Sequence, residues 1–559
     1  MRQAHRLIGS GAHRSLFARA LRLCAHAPLS LALALLLFSC ATRPTTKMMD
    51  LKITNARILD GTGAPWFRGD IGVRGDTIVA IGDLANEPAK STIDAQQRMV
   101  SPGFIDLLGW SQTSVLEDPT LEAKVRQGVT TEIGGEGNSP GPATSGRFRT
   151  LAEYLDTIDR QGATINFAML LGSSNPREMI IGEMNRAATP DEMQQMERIT
   201  DQAMRDGAIG IGSSLIYVPA MYSTTEELIN ISRVAAKYGG VYFSHIRDEG
   251  DHIDDALDEA FRIGREAKIP VNVWHIKVGG RANWGRMPQV IARIEAARAE
   301  GIDVAANIYP YAASSTGLST LAPNWALEGG YDDFQKRLAN PEDRARIAEA
   351  FRAQFAKRGE RGIYVSQIYA PSLAQYEKKF IEQIAAEMGV PVEDALIKLF
   401  EESKPSPRVI FFSINEDDMR YALKQPFVSV GSDAGAATSE RQKNAAVHPR
   451  AYGTFPRILG KYVRDEHLLT LEEAIRKMTS QAASRVHFKD RGILREGMKA
   501  DIVVFDPATI HDVATFEDPH HFSEGITDVV VNGVAVLRDG VITGALPGRA
   551  IRGRGYVKR

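Results

Sequence analysis

Two histidines end short apolar segments whose spacing could bring both to one metal ion. His245 ends the segment 241–245 (Val-Tyr-Phe-Ser-His), and His275 ends the segment 271–275 (Val-Asn-Val-Trp-His), about one strand-and-helix unit further on. If the two segments are neighbouring parallel strands, their carboxyl ends meet at the same edge, where barrel active sites lie. Imidazole suits zinc, which in catalytic sites takes three protein ligands and a water molecule. The pair therefore predicts a metal centre.

Two acidic residues extend this candidate site. Glu136 follows the predicted second strand, 130–133, and Asp433 follows the predicted eighth strand, 427–431. A lone histidine at a strand end is more often a hydrogen-bonded core residue than a ligand. The pair together with two carboxylates at corresponding strand ends favours a metal site.

Polar residues near these histidines could bind an anionic substrate group. Arg247 and Lys277 each lie two residues after a histidine, so the strand period of two places them on the same face. Arg247 could instead pair with the acids that follow it at 248 and 249. Tyr309 and Ser315, after the predicted seventh strand, offer hydroxyl groups at the mouth of the site, or they only form the turn into the next segment.

The elements that must position these residues alternate between apolar strands and amphipathic helices. This alternation predicts a parallel sheet, most simply closed as a (β/α)8 barrel of the TIM type. No phosphate-binding glycine loop follows the first strand, which argues against a doubly wound sheet. Thr189 and Pro190 are typical of a helix start. The eight predicted strands are 99–107, 130–133, 165–171, 208–216, 241–245, 271–275, 304–309 and 427–431.

Both ends of the chain have the pattern of short antiparallel strands. The Asn532-Gly533 and Asp539-Gly540 pairs are typical of hairpin turns. We expect residues 49–98 and 490–559 to form one small β domain, and residues 99–489 to form the barrel. The long, charged stretch at about 315–410 separates two strands too widely for a simple connection and predicts an inserted subdomain.

Composition and the N-terminus restrict the class of protein. Of 559 residues, 43% are hydrophobic and 24% charged, with a formal net charge of −2, so the chain is a folded protein with no sign of nucleic-acid binding. The only cysteines are Cys24 and Cys40, which excludes a disulfide scaffold. Five arginines precede an apolar run that ends in Leu-Phe-Ser-Cys at 37–40.

That N-terminal pattern predicts a signal peptide over residues 1–39, with Cys40 carrying a lipid anchor as the only membrane contact. The protein would then be exported, as a periplasmic or membrane-anchored lipoprotein. If translation instead starts at Met48 or Met49, the protein is cytoplasmic.

Several ordered motifs resemble those of the D-aminoacylase (N-acyl-D-amino-acid deacylase) family of the amidohydrolase superfamily. The resemblance extends over about residues 50–550 and rests on the number and order of the motifs. They are Ser-Pro-Gly-Phe-Ile-Asp (101–106), Gly-Val-Thr-Thr-Glu (128–132), Ser-His-Ile-Arg-Asp-Glu (244–249), Trp-His-Ile-Lys (274–277), Tyr-Pro-Tyr (309–311), Gly-Ser-Asp (431–433), His-Pro-Arg-Ala-Tyr-Gly-Thr-Phe-Pro-Arg (448–457), Gly-Met-Lys-Ala-Asp-Ile-Val-Val-Phe-Asp (497–506) and Phe-Glu-Asp-Pro-His-His-Phe-Ser-Glu-Gly (516–525).

The resemblance implies a barrel with a β-sandwich and one tightly bound zinc ion per chain, held by His245, His275 and a cysteine after the second strand. No cysteine occurs there, and Glu136 is the nearest residue able to replace it. The superfamily's first strand normally ends in a pair of histidines, but Leu108 and Trp110 occupy those positions, so a binuclear site is not expected.

The resemblance also implies an activity. A zinc-activated water would cleave the amide bond of a small N-acyl-D-amino acid, with Asp433 moving the proton. Lys277, Tyr309 and Ser315 would hold the substrate carboxylate, and Arg247 and Arg450 would add positive charge. Two alternatives remain. The protein could be a hydrolase of a related D-dipeptide or cyclic amide, or it could be a non-catalytic binding protein built on an amidohydrolase barrel that has lost its activity.

Overall fold

The computed structural model describes residues 48–436 and 447–558. The predicted leader, 1–39, and Cys40 lie outside the described residues. Within the described part of the chain, no helix combines the length and the apolar character needed to span a membrane.

The centre of the molecule is built from buried parallel strands in two sheets. One sheet has three strands and the other has six, and every neighbouring pair in both runs parallel. An isolated parallel bridge between Gly109 and Ala434 connects the end of the first strand to the end of the last. The strands are Phe104–Asp106, Val129–Gly134 and Asn166–Met169 in the first sheet, and Leu171–Gly172, Gly210–Ser214, Val241–His245, Val271–Val273, Val304–Ile308 and Val428–Val430 in the second.

Amphipathic helices connect these strands and cover them. The helix Pro190–Asp206 begins at Thr189 with a capping box to Glu192, which confirms the predicted start, and it ends at Gly207 in the left-handed region. Its buried face carries Met193, Met196 and Met204. The other connecting helices are Leu151–Gln161, Thr225–Ala236, Ile253–Ala267, Met287–Ala299 and Glu416–Leu423.

The two ends of the chain share one nine-stranded sheet. They meet where Met99–Pro102 pairs antiparallel with Ile502–Phe505. The predicted turns at Asn532-Gly533 and Asp539-Gly540 are confirmed, since both residues of each pair have positive φ and link antiparallel strands. The remaining strands are Met49–Ile58, Phe67–Arg74, Thr77–Gly82, Ala89–Asp94, Ile526–Val531, Val534–Arg538 and Val541–Ile542.

A segment with its own apolar core lies between the strands Val304–Ile308 and Val428–Val430. Those two strands pair directly, so the chain leaves the central sheet and returns beside its point of departure. Phe334, Phe351 and Phe400 stack at the centre of the segment's core. Its strands are Ser314–Gly317, Ile363–Gln367, Lys379–Phe380 and Arg408–Phe411, and its helices are Gly330–Ala339, Pro341–Arg358, Ile381–Met388 and Val392–Glu402.

Several shorter helices lie among these elements, and Arg450–Arg457 continues into a π-helical segment, Ile458–Asp465. Arg450–Arg457 matters for the site because it places Arg450 in its first turn, directly after Pro449. The others are Ser114–Glu117, Glu122–Val125, Ser174–Ile180, Leu471–Met478 and Ser480–Arg485.

Candidate metal centre

The carboxyl ends of three parallel strands deliver the side chains of the predicted metal centre. His245 is the last residue of Val241–His245, as predicted. The strand before His275 is two residues shorter than predicted, because it ends at Val273 and the His275 N–H donates to the Asn307 side chain at 2.7 Å instead of continuing the sheet. Glu136 follows a turn at Gly135, where a Cβ would lie 2.2 Å from the Leu170 carbonyl oxygen, so only glycine fits.

Glu136, His245 and His275 converge on one point. Each offers a ligand atom within 4.8 Å of the other two, and the residues are 3%, 6% and 2% exposed. The Glu136 Oε1 lies 3.0 Å from His245 Nδ1 and 3.3 Å from His275 Nε2. The other carboxylate oxygen of Glu136 is buried and has no hydrogen-bond partner among the described residues. Two imidazole nitrogens and a carboxylate form a donor set that fits zinc, so these residues could hold the metal that the resemblance implies.

The charges around these ligands favour a cation. Burial opposes ionisation of Glu136, but hydrogen bonds from His245 and His275 outweigh it and bring the pKa of Glu136 to about 2. Burial and Lys277 lower the pKa of His275, whereas Glu249 and Asp433 raise it, and its net pKa is about 9. The carboxylates around the two histidines thus favour positive charge at this point, as a metal cation would supply.

Glu249 contacts both histidines from the side opposite Glu136, and the sequence analysis did not assign it to the site. Its Oε1 lies 3.0 Å from His275 Nδ1, and its Oε2 lies 3.4 Å from His245 Nε2. Each ring therefore presents one nitrogen to Glu136 and the other to Glu249. A carboxylate behind a metal-binding histidine fixes the tautomer and the orientation of the ring. The sequence feature that could have identified Glu249 is its position four residues after His245.

Asp433 follows the strand Val428–Val430 and faces the same cavity. Its backbone N–H donates to the Leu108 carbonyl at 2.8 Å. Its Oδ1 accepts a hydrogen bond from the Trp110 indole N–H at 3.1 Å, and its Oδ2 lies 2.9 Å from Arg450 Nη1. Asp433 and His275 have φ values of 51° and 33°, a left-handed conformation that non-glycine residues adopt uncommonly.

The structure brings Lys277, Tyr309, Ser315 and Arg450 together beside the candidate metal ligands. The Lys277 ammonium lies 5.8 Å from the centre of the Tyr309 ring, and the Arg450 guanidinium lies 4.6 Å from it. Burial raises the pKa of Tyr309 although the nearby Arg450 opposes this shift. Arg450 Nη2 donates to the Ser315 carbonyl at 3.3 Å, and Lys277 donates to Glu249 at 2.5 Å.

Arg247 forms an ion pair with Glu259 instead of contacting the candidate metal ligands. Its guanidinium donates twice to Glu259, at 2.8 and 2.9 Å, and also to the carbonyls of Met221 and Ser223. The sequence interpretation offered the acids at 248 and 249 as partners, but the structure pairs Arg247 with an acid on the following helix.

These groups line one cavity of about 950 Å³. A volume of this size is within the range of sites that bind small molecules. The inserted segment contributes one wall, including Gln354, Arg358, Tyr369 and Arg408. Trp110 also lines the cavity, whereas Leu108 is fully buried among apolar side chains. Neither residue offers a metal ligand.

Comparison with known proteins extends the similarity over most of the chain. The sequence model of the amidohydrolase family matches residues 91–537. The chain is 36% identical over 518 residues to a D-aminoacylase of Alcaligenes xylosoxydans xylosoxydans, covering 90% of this chain and 97% of that protein.

Two solved structures align along their full length. One is a D-aminoacylase with a binuclear metal centre, in which one metal activates and the second attenuates. It has a TM-score of 0.78 at 35% identity and covers 90% of this chain. The other is an N-acyl-D-glutamate deacylase of Bordetella bronchiseptica in complex with zinc and a phosphonate mimic of the tetrahedral intermediate. It has a TM-score of 0.78 at 33% identity and covers 91% of this chain. The similarity therefore concerns the whole fold rather than a single motif.

Proposed function

The chain belongs to the amidohydrolase family, as its motifs predicted, and we propose that it is a zinc-dependent deacylase of N-acyl-D-amino acids. It is an amide hydrolase acting on C–N bonds other than peptide bonds. The observation that carries the proposal is the buried cluster of Glu136, His245 and His275, which opens into the same cavity as Asp433. We infer one zinc ion per chain, held by these three residues.

The proposed mechanism uses Asp433 as the proton carrier. A zinc ion held by Glu136, His245 and His275 would supply a water molecule of strongly lowered pKa and would polarise the amide carbonyl. Asp433 takes a proton from the attacking water onto its carboxylate and then gives it to the departing amide nitrogen. Water adds to the acyl carbon as the C–N bond breaks, so the products are a carboxylic acid and a free amino acid. Glu249 holds both imidazoles in orientation from behind.

The substrate carboxylate is proposed to lie among Lys277, Tyr309, Ser315 and Arg450. Lys277 and Arg450 are two cations close to the Tyr309 ring, and burial keeps the Tyr309 hydroxyl protonated as a donor. Such charge-assisted hydrogen bonds select a carboxylate and fix the amide relative to Asp433. We assign Arg247 to the structure of the cavity wall, because hydrogen bonds to Glu259, Met221 and Ser223 engage all three nitrogens of its guanidinium.

We propose further that the two parallel sheets close into one eight-stranded barrel of the TIM type within residues 99–489, in which Asn166–Met169 and Leu171–Gly172 are two parts of one interrupted strand. The bridge between Gly109 and Ala434 supports closure at one seam, and Met169 and Leu171, one residue apart, support it at the other. The shared sheet of the two chain ends supports a small β domain over residues 49–98 and 490–559, built as a β-sandwich. The self-contained core supports an inserted subdomain at about 315–410.

For the residues before Met49 the proposal rests on sequence alone. The five arginines, the apolar run and Cys40 support a lipoprotein signal and an exported, lipid-anchored protein.

A panel of N-acetyl amino acids tests the function. The full-length protein, supplied with zinc, is incubated with matched D- and L-enantiomers, and release of free amine is followed. We expect amine release from D substrates and little from their L counterparts. Asp433→Asn keeps its zinc and loses turnover, while His252→Ala, at an exposed histidine, keeps both. No amine release from any D substrate by zinc-loaded protein would overturn the proposal.

A further inference from the structure

Asp433 accepts one hydrogen bond on its carboxylate and lies beside one cation. The Trp110 indole N–H contacts Oδ1 at 3.1 Å, and the Arg450 guanidinium lies 2.9 Å from Oδ2. Trp110 stands at one of the two positions where the resemblance leads one to expect a histidine, and Leu108 stands at the other. Next to Asp433, this chain therefore presents an N–H donor and an apolar side chain in place of two metal ligands.

The backbone around Trp110 is fitted to the loop that carries Asp433. The Trp110 N–H donates to the Ala434 carbonyl at 3.1 Å, and the Asp433 N–H donates to the Leu108 carbonyl at 2.8 Å. At Gly435 a Cβ would lie 2.8 Å from the Trp110 carbonyl oxygen and 3.4 Å from its Cβ, so a side chain there would displace Trp110. The main chain and the side chain of Trp110 thus both form hydrogen bonds to the loop that carries Asp433 and Ala434.

A buried lysine fixes the residues on either side of Asp433. Lys124 donates to the Ser432 hydroxyl at 2.9 Å and to the Ala434 carbonyl at 2.7 Å, and it pairs with Asp106 at 2.7 Å. These contacts and the Trp110 hydrogen bond together hold Asp433 in its left-handed conformation.

We propose that Trp110 is a positioning residue for Asp433 and that its indole N–H, with Arg450, takes the place of a second cation, so that the protein binds only one metal ion. The inference rests on the proposed function. A proton carrier must present one oxygen to the attacking water in a fixed direction. An N–H donor achieves this without consuming the negative charge of the carboxylate, whereas a metal ion bound to Asp433 would compete for the same oxygens.

The number of bound ions tests the exclusion of a second metal. Protein is equilibrated with zinc in excess, dialysed at a fixed free zinc concentration, and counted by elemental mass spectrometry. We expect about one zinc per chain in the unmodified protein and about two in the double variant Leu108→His/Trp110→His, which restores two imidazole ligands. Two zinc ions per unmodified chain would overturn the inference. Because this count is made on the unmodified protein, it does not depend on whether the double variant folds.

Kinetics of Trp110→Phe test the positioning role. This change removes the N–H donor and keeps an aromatic ring. Loss of one hydrogen bond to a charged group should lower kcat about tenfold or more, with KM and zinc content unchanged. The matched control is Trp284→Phe, which loses an indole hydrogen bond of the same length to the Ser413 carbonyl and should retain kcat. Equal kcat in Trp110→Phe and unmodified protein would overturn the role of Trp110.

A substrate-free measurement separates this inference from the proposed function. In protein labelled with ¹⁵N-tryptophan, the five indole N–H signals are recorded, and that of Trp110 is assigned by its loss in Trp110→Phe. We expect Asp433→Ala to shift the Trp110 signal and to leave the Trp284 signal in place. An unshifted Trp110 signal would refute the inference even if D substrates are hydrolysed. A shifted signal in a protein that hydrolyses none of them would refute the function alone.

Discussion

Replacing Lys124 by methionine tests whether the core beneath Asp433 depends on one buried charge. The Lys124 ammonium lies 2.7 Å from Asp106 and 3.1 Å from Glu132, and all three side chains are fully buried. Burial alone would lower the pKa of Lys124, but the two carboxylates outweigh it and raise that pKa. Methionine keeps the length of the side chain and removes its charge and its donors.

The size of the expected loss in the free energy of unfolding depends on the buried polar groups that lose Lys124 as a partner. Without Lys124, two carboxyl groups remain buried against each other, and the Ser432 hydroxyl and the Ala434 carbonyl lose a donor. Breaking a buried ion pair by removing one partner costs about 3–5 kcal/mol. We expect Lys124→Met to lower the free energy of unfolding by about that amount.

Urea unfolding followed by tryptophan fluorescence measures this loss, at one fixed zinc concentration because metal binding shifts apparent stability. Lys336→Met is the control, since Lys336 forms an exposed ion pair with Asp333 and its loss should leave the midpoint unchanged. A loss of less than about 1 kcal/mol in Lys124→Met would refute the reasoning, because buried carboxylates without a counterion cannot be that well tolerated.

Three further substitutions separate the roles assigned within the cavity. Glu249→Gln removes the charge behind both histidines and should weaken zinc binding about 10–100-fold, measured by competition with a chelating dye; unchanged affinity would mean that Glu249 does not orient the ligands. Lys277→Met should raise KM for N-acyl-D-amino acids about tenfold or more, because one charge-assisted hydrogen bond to the substrate carboxylate is lost. Arg247→Met should leave KM unchanged and lower the urea midpoint, because Arg247 is paired with Glu259; a KM rise matching that of Lys277→Met would return Arg247 to the substrate site.

Local patterns in the sequence predicted several elements that carry the site, but the predicted first strand, 99–107, is wrong: residues 99–102 lie in the terminal sheet and only Phe104–Asp106 lies in a parallel sheet. The strand 241–245 ends at His245 as predicted, and Thr189 caps its helix, because alternation and capping are encoded by neighbouring residues. The strand before His275 was predicted two residues too long. Its early end depends on Asn307, a side chain on the next strand that accepts the His275 N–H, and no local pattern specifies that contact.

The contacts that complete the site join residues far apart in the sequence. Trp110 and Asp433 are separated by 323 positions, and Lys124 and Ser432 by 308. The sequence identified Trp110 only as a residue unable to bind metal, and its hydrogen bond to Asp433 became visible once the first and last parallel strands were placed side by side. For the same reason the sequence offered Arg247 two adjacent acids, whereas the folded chain supplies Glu259 from a helix.

Zinc-edge anomalous diffraction from crystals of the zinc-loaded protein tests the central claim most directly. The account predicts one strong anomalous peak among Glu136, His245 and His275, at about 2.0–2.2 Å from one carboxylate oxygen and two imidazole nitrogens. It predicts no second peak beside Leu108 and Trp110. Absence of a peak at the three residues, or a strong peak elsewhere in the cavity without one there, would contradict the assignment of these residues as the metal centre.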